Sequence, residues 1–195
     1  MQTRAEKKLE KRDEIVIAAS RRIQIEGLSG ATIPNIMKDA GVTQGTFYAH
    51  FEDKTELMSE ALTKAMDRSV DRWVPETDLP PSHALALAVE RYLSPLHRDR
   101  PETGCPLASL CSELPRTEKR VQETLDTELT RALGEISDKF FADLPEEKRK
   151  QETYGFLALC VGSLALSRAT GDPALSNDLL EAAKSYALNR KIETD

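Results

Sequence analysis

The chain has 195 residues, 39% hydrophobic and 31% charged, with a net charge of −6. This composition fits a soluble globular protein and excludes a disordered one, and the negative charge excludes a chain coated in nucleic acid along its whole length. No run of about 18 apolar residues is present, which excludes a transmembrane helix, and the charged stretch Met1 to Arg12 has no apolar core for a secretory signal, so the chain is expected in the cytoplasm.

The two ends differ in charge. Between Met1 and Arg22, the cations Arg4, Lys7, Lys8, Lys11, Arg12, Arg21 and Arg22 outnumber Glu6, Glu10, Asp13 and Glu14, so the acidic surplus lies downstream. Such a split lets one end approach phosphates, although a solvated helix face has the same look. Cys105, Cys111 and Cys160 form no zinc-site spacing and read as free thiols of a reducing compartment. No cofactor or metal pattern is present.

Helical signals dominate, and no alternating β-branched run is bounded by hairpin turns. The expectation is an all-α chain of about nine helices. The first spans about Lys11 to Glu26 and stops at Gly27, a natural C-cap residue. A short helix follows from Ile33 to Ala40, with Thr32 placed to cap it and Pro34 in its first turn. Gly41 breaks the chain, and Thr43 is placed to cap a third helix through His50. Asp53 starts a long helix to Trp73, with Glu56 at capping-box spacing; these two acids are capping groups rather than catalytic carboxylates. Pro75, Pro80 and Pro81 mark a linker. The remaining helices are expected over Ser82–Leu96, Pro106–Glu113, Pro115–Phe141, Glu147–Thr170 and from Asp172-Pro173 to Asn189. In the seventh, Val121, Leu125, Leu129, Ala132, Ile136 and Phe140 make one apolar stripe. The eighth is apolar nearly all round and reads as buried.

The segment Ala31 to Leu57, ATIPNIMKDAGVTQGTFYAHFEDKTEL, has the physics of a helix-turn-helix. Ile33, Ile36, Met37 and Ala40 form an apolar face, Gly41 permits a left-handed turn, and Val42 plugs the angle. Phe47 and Phe51, at i and i+4, hold the third helix on that face. The opposite face presents Thr43, Gln44, Thr46, Tyr48 and His50 for the major groove of duplex DNA. Gln44 suits bidentate reading of base edges, Gly45 allows close backbone approach, and Lys54 with the first N–H groups of the next helix suits one phosphate. Tyr48 reads as a phosphate contact or as core, and His50 as a DNA contact or a plain surface residue.

The block T-I-x-x-I-x-x-x-A-G-V-T-x-G-T-F-Y-x-H-F-x-D-K-x-E-L resembles the signature of the TetR family of transcriptional repressors, and the likeness covers about Lys11 to Met66. It implies a DNA-binding domain over residues 10–70 and a ligand-binding and dimerisation domain over 71–195. It also implies that Thr32, Thr43, Gln44, Thr46, Tyr48, His50 and Lys54 occupy DNA-touching positions. Arg22 and Ile23 depart from the family's common Leu-Phe pair.

Beyond this block, Gly155, Ala158, Gly162, Ala165 and Ala169 recur at spacings of three and four, as do Leu175, Leu179, Ala182 and Tyr186. Small residues in a stripe let helices approach closely. The resemblance implies a homodimer closed by a four-helix bundle of these two helices; ordinary intrachain packing is the alternative. Trp73, Tyr92, His97 and Phe140 are candidates either for the wall of an effector pocket or for core. Cys105 before Pro106 reads as an N-cap thiol sensitive to oxidants or electrophiles, or as a small residue buried at a turn. Cys111 and Cys160 read as packing residues. Catalytic motifs are absent, so no enzyme is expected. The expected function is a ligand-released repressor, with an activator of the same fold, or a helical enzyme with an incidental helix-turn-helix, as the alternatives.

Overall fold

The computed structural model describes residues 3–74 and 79–189, apart from the side chain of Trp73. Every regular element among them is helical: α1 (Arg4–Gly30), α2 (Ile33–Asp39), α3 (Lys54–Trp73), α4 (Pro81–Tyr92), α5 (Pro95–Asp99), α6 (Leu107–Leu110), α7 (Lys119–Phe140), α8 (Glu146–Ala169) and α9 (Pro173–Asn189). Three 3-10 turns, Gln44–Ala49, Pro101–Thr103 and Leu114–Arg116, join them. The all-α expectation holds.

The described residues gather into two compact units. The first takes residues up to Asp67 together with Pro101–Glu128; the second takes Arg68–Arg100 and residues from Leu129 onward. In the first, Ile15, Ala19 and Ile23 of α1 pack with Ile36 and Met37 of α2, Phe47, and Leu57 and Leu62 of α3, all essentially removed from water. In the second, Phe140, Phe141 and Phe156 meet edge to face with ring centroids 6.0–6.3 Å apart. Such pairs add to the transfer free energy of burying three rings.

Several boundaries differ from the expectation, each for an identifiable reason. Helix α1 begins at Arg4 because Thr3 and Glu6 form a capping box: Thr3 Oγ1 accepts from the Glu6 N–H, and the Glu6 carboxylate accepts from the Thr3 N–H at 2.7 Å. At its other end Gly27 kinks the chain, with φ 76°, and does not stop it. One further turn follows because the Glu113 carboxylate accepts from the N–H groups of Leu28 (3.0 Å) and Ser29 (3.4 Å). Lys54 Nζ donates to the Leu28 carbonyl at 3.2 Å, so this turn is held on both its N–H and its C=O side.

The expected Ser82–Leu96 helix divides into α4 and α5, since Pro95 removes an N–H and Ser94 caps the new start through its bond with the His97 N–H. The third helix is a 3-10 turn, Gln44–Ala49. Gly45 and two threonines are poor helix formers, and Thr46 bonds the Thr43 carbonyl with both its N–H (3.1 Å) and its hydroxyl (2.6 Å), which tightens the spiral. Thr32 and Thr43 stand at N-cap positions, but neither side chain makes the expected capping bond. Asp53 does cap α3, accepting from the Glu56 N–H at 2.7 Å, while the Glu56 carboxylate reaches the Glu52 N–H and not that of Asp53. Helix α8 is not buried all round within the single chain: Phe156, Leu157, Cys160 and Leu164 are buried, while Tyr154, Gly155, Ala158 and Leu166 are exposed.

Gly27 cannot be replaced cheaply. Its φ is one that L side chains avoid, and an added Cβ would run into the Glu113 carboxylate, 2.8 Å from its carbon. Gly27→Ala is expected to lower stability by about 2–4 kcal/mol, from backbone strain and the displaced carboxylate together. Urea unfolding against wild type reads this directly, and a midpoint unchanged within error would refute it.

Candidate nucleic-acid interface

The turn that leads into the interface follows from local chemistry. Gly41 has φ 67°, its N–H bonds the Lys38 carbonyl at 3.0 Å, and the Val42 N–H bonds the Met37 carbonyl at 2.9 Å. This is a Schellman closure of α2, for which glycine supplies the left-handed residue. The chain then enters the 3-10 turn. Phe47 is 1% exposed and stacks on Phe51, 2% exposed, with centroids 5.6 Å apart. With Phe47 turned inward, the rest of the turn faces out. Thr43, Gln44, Gly45, Thr46 and Tyr48 are exposed, Tyr48 at 77%, and Thr32 is exposed at the start of α2. The structure therefore leaves Thr43 to Thr46 and Tyr48 open on one short turn, and Thr32 open at the start of α2. Tyr48 is not core; its ring only touches Phe47 edge-on, 5.1 Å between centroids. A Cβ added to Gly45 would meet nothing within 4 Å, so no packing inside the chain requires glycine there.

His50 and Lys54 lie less open. His50 is half-buried and its Nδ1 has no hydrogen-bond partner. Burial first, and then the charges of Lys8, Arg12 and Lys11, hold its pKa below the ordinary imidazole value. Lys54 is half-buried with its ammonium on the Leu28 carbonyl. Arg12 of α1 sits over the Phe51 ring, 4.3 Å from its centroid, and pairs with Glu56 (2.8 Å) and Glu60 of α3. That arrangement locks α1 to the end of the recognition turn. The sequence pattern does not show it, because Glu56 and Glu60 lie 44 and 48 residues from Arg12.

The residues considered for an effector pocket lie in the second unit, and Tyr92, His97 and Phe140 are packed. Tyr92 is 2% exposed and His97 4%, edge to face at 4.4 Å, while Phe140 belongs to the aromatic cluster. His97 Nδ1 donates to the Tyr92 carbonyl at 2.7 Å. The side chain of Trp73 lies outside the described residues. Two surface clefts in this unit, about 250 and 320 Å³, are lined by other residues, among them Ser137 and Arg149, and Arg98 and Ser176.

Cys105 is not an N-cap. Pro106 takes that position on a helix of only four residues, and Cys105 is buried just ahead of it. Cys111 is exposed, contrary to the packing role expected of it; partial burial of its sulfur and the nearby Cys105 push its thiol pKa up. Cys160 is buried, as expected.

On α8, Gly155, Ala158 and Ala169 are exposed and Gly162 and Ala165 half-buried; on α9, Leu175, Ala182 and Tyr186 are exposed and Leu179 half-buried. The two stripes thus lie on the outer surface of a single chain. Added Cβ atoms at Gly155 and Gly162 would meet nothing within 4 Å.

Comparisons with known proteins match this geometry. The family profile TetR_N, bacterial regulatory proteins of the tetR family, matches residues 15–61. The HTH-type transcriptional regulator AcrR of Shigella flexneri is 43% identical over 51 residues, 26% of this chain and 24% of AcrR. The uncharacterized HTH-type transcriptional regulator YxaF of Bacillus subtilis is 28% identical over 106 residues, 52% of this chain and 55% of YxaF. The chain thus spans from a quarter to about half the length of these curated relatives. Among solved structures, the reduced form of NemR from E. coli superposes with TM-score 0.77 at 16% identity, covering 95% of this chain and 98% of NemR. A transcriptional regulator from Rhodococcus sp. Rha1 superposes with TM-score 0.69 at 26% identity, covering 91% and 93%.

The buried His97 makes stability depend on pH. Burial, outweighing the Tyr92 bond, lowers its pKa to about 4, with Arg168 and Arg72 adding to the shift. The unfolded chain, with an ordinary imidazole near 6.5, binds the proton more readily, so this contribution is complete above pH 6.5 and is lost as pH falls towards 4. On the order of 3 kcal/mol is at stake. Unfolding midpoints measured from pH 7.5 to 4 should fall more steeply for wild type than for His97→Gln; parallel curves would remove His97 as the cause.

Proposed function

We propose that this chain, whose residues 15–61 match the TetR_N profile, is a homodimeric, DNA-binding transcriptional repressor of the TetR family, released from its operator by a small-molecule or thiol-reactive effector in the cytoplasm. One observation carries this reading: Gln44, Thr46 and Tyr48 stand exposed on a turn that the buried Phe47 anchors. A short polar turn of this kind fits the major groove. Gln44 reads base edges bidentately. Thr32, Thr43 and Tyr48 take flanking phosphates, their hydroxyls not being spent on capping α2 or the 3-10 turn. His50 lies at the edge of this surface. The Lys54 ammonium, with one donor on Leu28, has two left for a phosphate.

Two such turns must be spaced about 34 Å apart to enter successive major grooves, which calls for a two-fold dimer. The exposed stripes of α8 and α9 are suited to it: Gly155, Ala158, Gly162, Ala165 and Ala169 allow close helix approach, and Leu175, Leu179, Ala182 and Tyr186 supply apolar area. No helix among the described residues is long and apolar enough to cross a membrane. The effector acts in the second unit, on the side of Trp73 or by opening the packed neighbourhood of Tyr92, His97 and Phe140, or it modifies the buried Cys105. Helix α3, whose residues are divided between the two units, carries the change to the recognition turns. Effector and operator then weaken each other by the same factor.

Selection of bound duplexes from a random pool tests the DNA reading. Enriched half-sites should be related by two-fold symmetry with centres about 10 base pairs apart; no enrichment would overturn it. In the same assay, Gln44→Ala should relax the base preference, while Gly45→Ala should cut affinity about tenfold or more without lowering the melting temperature, since its Cβ is unopposed inside the chain. Leu175→Glu combined with Tyr186→Glu should halve the mass seen by light scattering. A dimer that survives both charges would place the interface elsewhere.

A further inference from the structure

Helix α1 changes character along its length in a way that the recognition turn does not account for. Two of its i, i+4 rows face the core of the first unit: Ile15–Ala19–Ile23 and Val16–Ser20–Gln24, all buried. Traced towards the N-terminus, the same rows become Lys7–Lys11 and Arg4–Lys8–Arg12. Each step along such a row turns by about 40°. In the first turns the two rows therefore leave the direction of the buried face and form a cationic stripe beside it, where residues 3–10 are exposed. At about 100° per residue, the five cations fall within an arc of about 140°, and Glu6, Glu10, Asp13 and Glu14 fall on the other side.

Position gives this stripe a direction. Arg12 rests on the Phe51 ring at 4.3 Å, and Lys8 and Lys11 stand close enough to His50 for their charges to act on it. The stripe thus continues from the His50 edge of the recognition surface for about 12 Å, the rise of eight helical residues from Arg12 back to Arg4. Lys11 is paired with Glu14, and Arg12 with Glu56 and Glu60, whereas Arg4, Lys7 and Lys8 are exposed and have no ion pair among the described residues. The capping box at Thr3 and Glu6 keeps these three on a formed helix, so presenting them costs less ordering than a loose tail would.

We propose that the first turns of α1 form a second DNA-contacting surface, in which Arg4, Lys7 and Lys8 lie along the phosphates flanking the groove entered by the recognition turn. This rests on the DNA-binding reading above and extends it. Duplex phosphate is the occupant favoured by charge complementarity and by continuity with the recognition surface. The contact carries no base preference; it adds affinity to every duplex alike and makes binding steeper in salt, by about 0.9 in the slope of log K against log salt for each phosphate neutralised.

The test uses the full chain and compares wild type with Arg4→Gln/Lys7→Gln/Lys8→Gln, on a duplex enriched from a random pool and on a scrambled one, across a salt titration. Glutamine keeps helix propensity, and circular dichroism checks that α1 remains formed. The triple variant should lose affinity equally on both duplexes and take about 2–3 off the salt slope, while Glu10→Gln on the opposite side should leave the slope as it was. If the triple variant loses helix content, Lys8→Gln alone decides, with an expected loss of about 0.9. An unchanged slope in a folded variant, or an effect confined to assembly mass, would overturn the proposal and leave the recognition turn standing. Wild type that shows no salt-dependent duplex binding would bring down both.

Discussion

The burial of one aromatic ring, Phe47, decides how the rest of the first unit can act. It belongs to a six-residue 3-10 turn that has no other buried side chain. A single short turn has too few hydrogen bonds to persist in water by itself; contact with the α1–α2 core makes it a fixed element. Once Phe47 points inward, its neighbours Thr46 and Tyr48 face outward, and Gln44 is exposed at the start of the turn. Gly41 and its two closing bonds set the angle at which the turn arrives, and Phe51, stacked on Phe47, carries the anchorage into α3.

Around this anchor the charged groups serve two purposes. Some are consumed in holding the backbone. Arg12 bridges Phe51, Glu56 and Glu60, and Glu113 and Lys54 clasp the Leu28 turn from opposite sides. Glu113 comes from residues 101–128, and its carboxylate occupies the space that glycine leaves open at position 27. In the second unit Arg168 does similar work, donating to the carbonyls of His97 (2.8 Å) and Arg98 (3.1 Å) beside the buried imidazole. Charges paired in this way are poorly placed to meet a ligand. Arg4, Lys7 and Lys8 of α1 have no ion pair among the described residues, which is why the position of each cation matters more than the net charge of −6.

The second unit buries one stripe of α8 and leaves small residues on the other. Apolar surface on a single chain is common. Rows of glycine and alanine beside exposed Leu166, Leu175 and Tyr186 on consecutive helices are less ordinary, because they lower the barrier to close approach by another helix. The tight packing of Tyr92, His97 and Phe140 on the inner side means that any effector entering there must displace contacts rather than fill a ready cavity.

The all-helical class, the helix-turn-helix and its outward residues were legible in the amino-acid order, because they follow from local periodicity, glycine placement and the Phe47–Phe51 spacing. Local rules erred where a distant group intervened or where two local options competed. Gly27 looked like a helix end, but Glu113, far along the chain, lets another turn follow. Thr32 and Thr43 looked like caps, but their side chains make no capping bond. Cys105 looked like a cap until Pro106 took the position. Tertiary structure alone decided that the Lys54 ammonium is partly spent on Leu28, that the face of α8 away from Phe156 is open, and that Arg12 is spent on Phe51, Glu56 and Glu60. The physical reason is the same in each case: propensity and spacing act over one or two turns, whereas burial and partnering depend on which remote segment arrives to cover or bond a group.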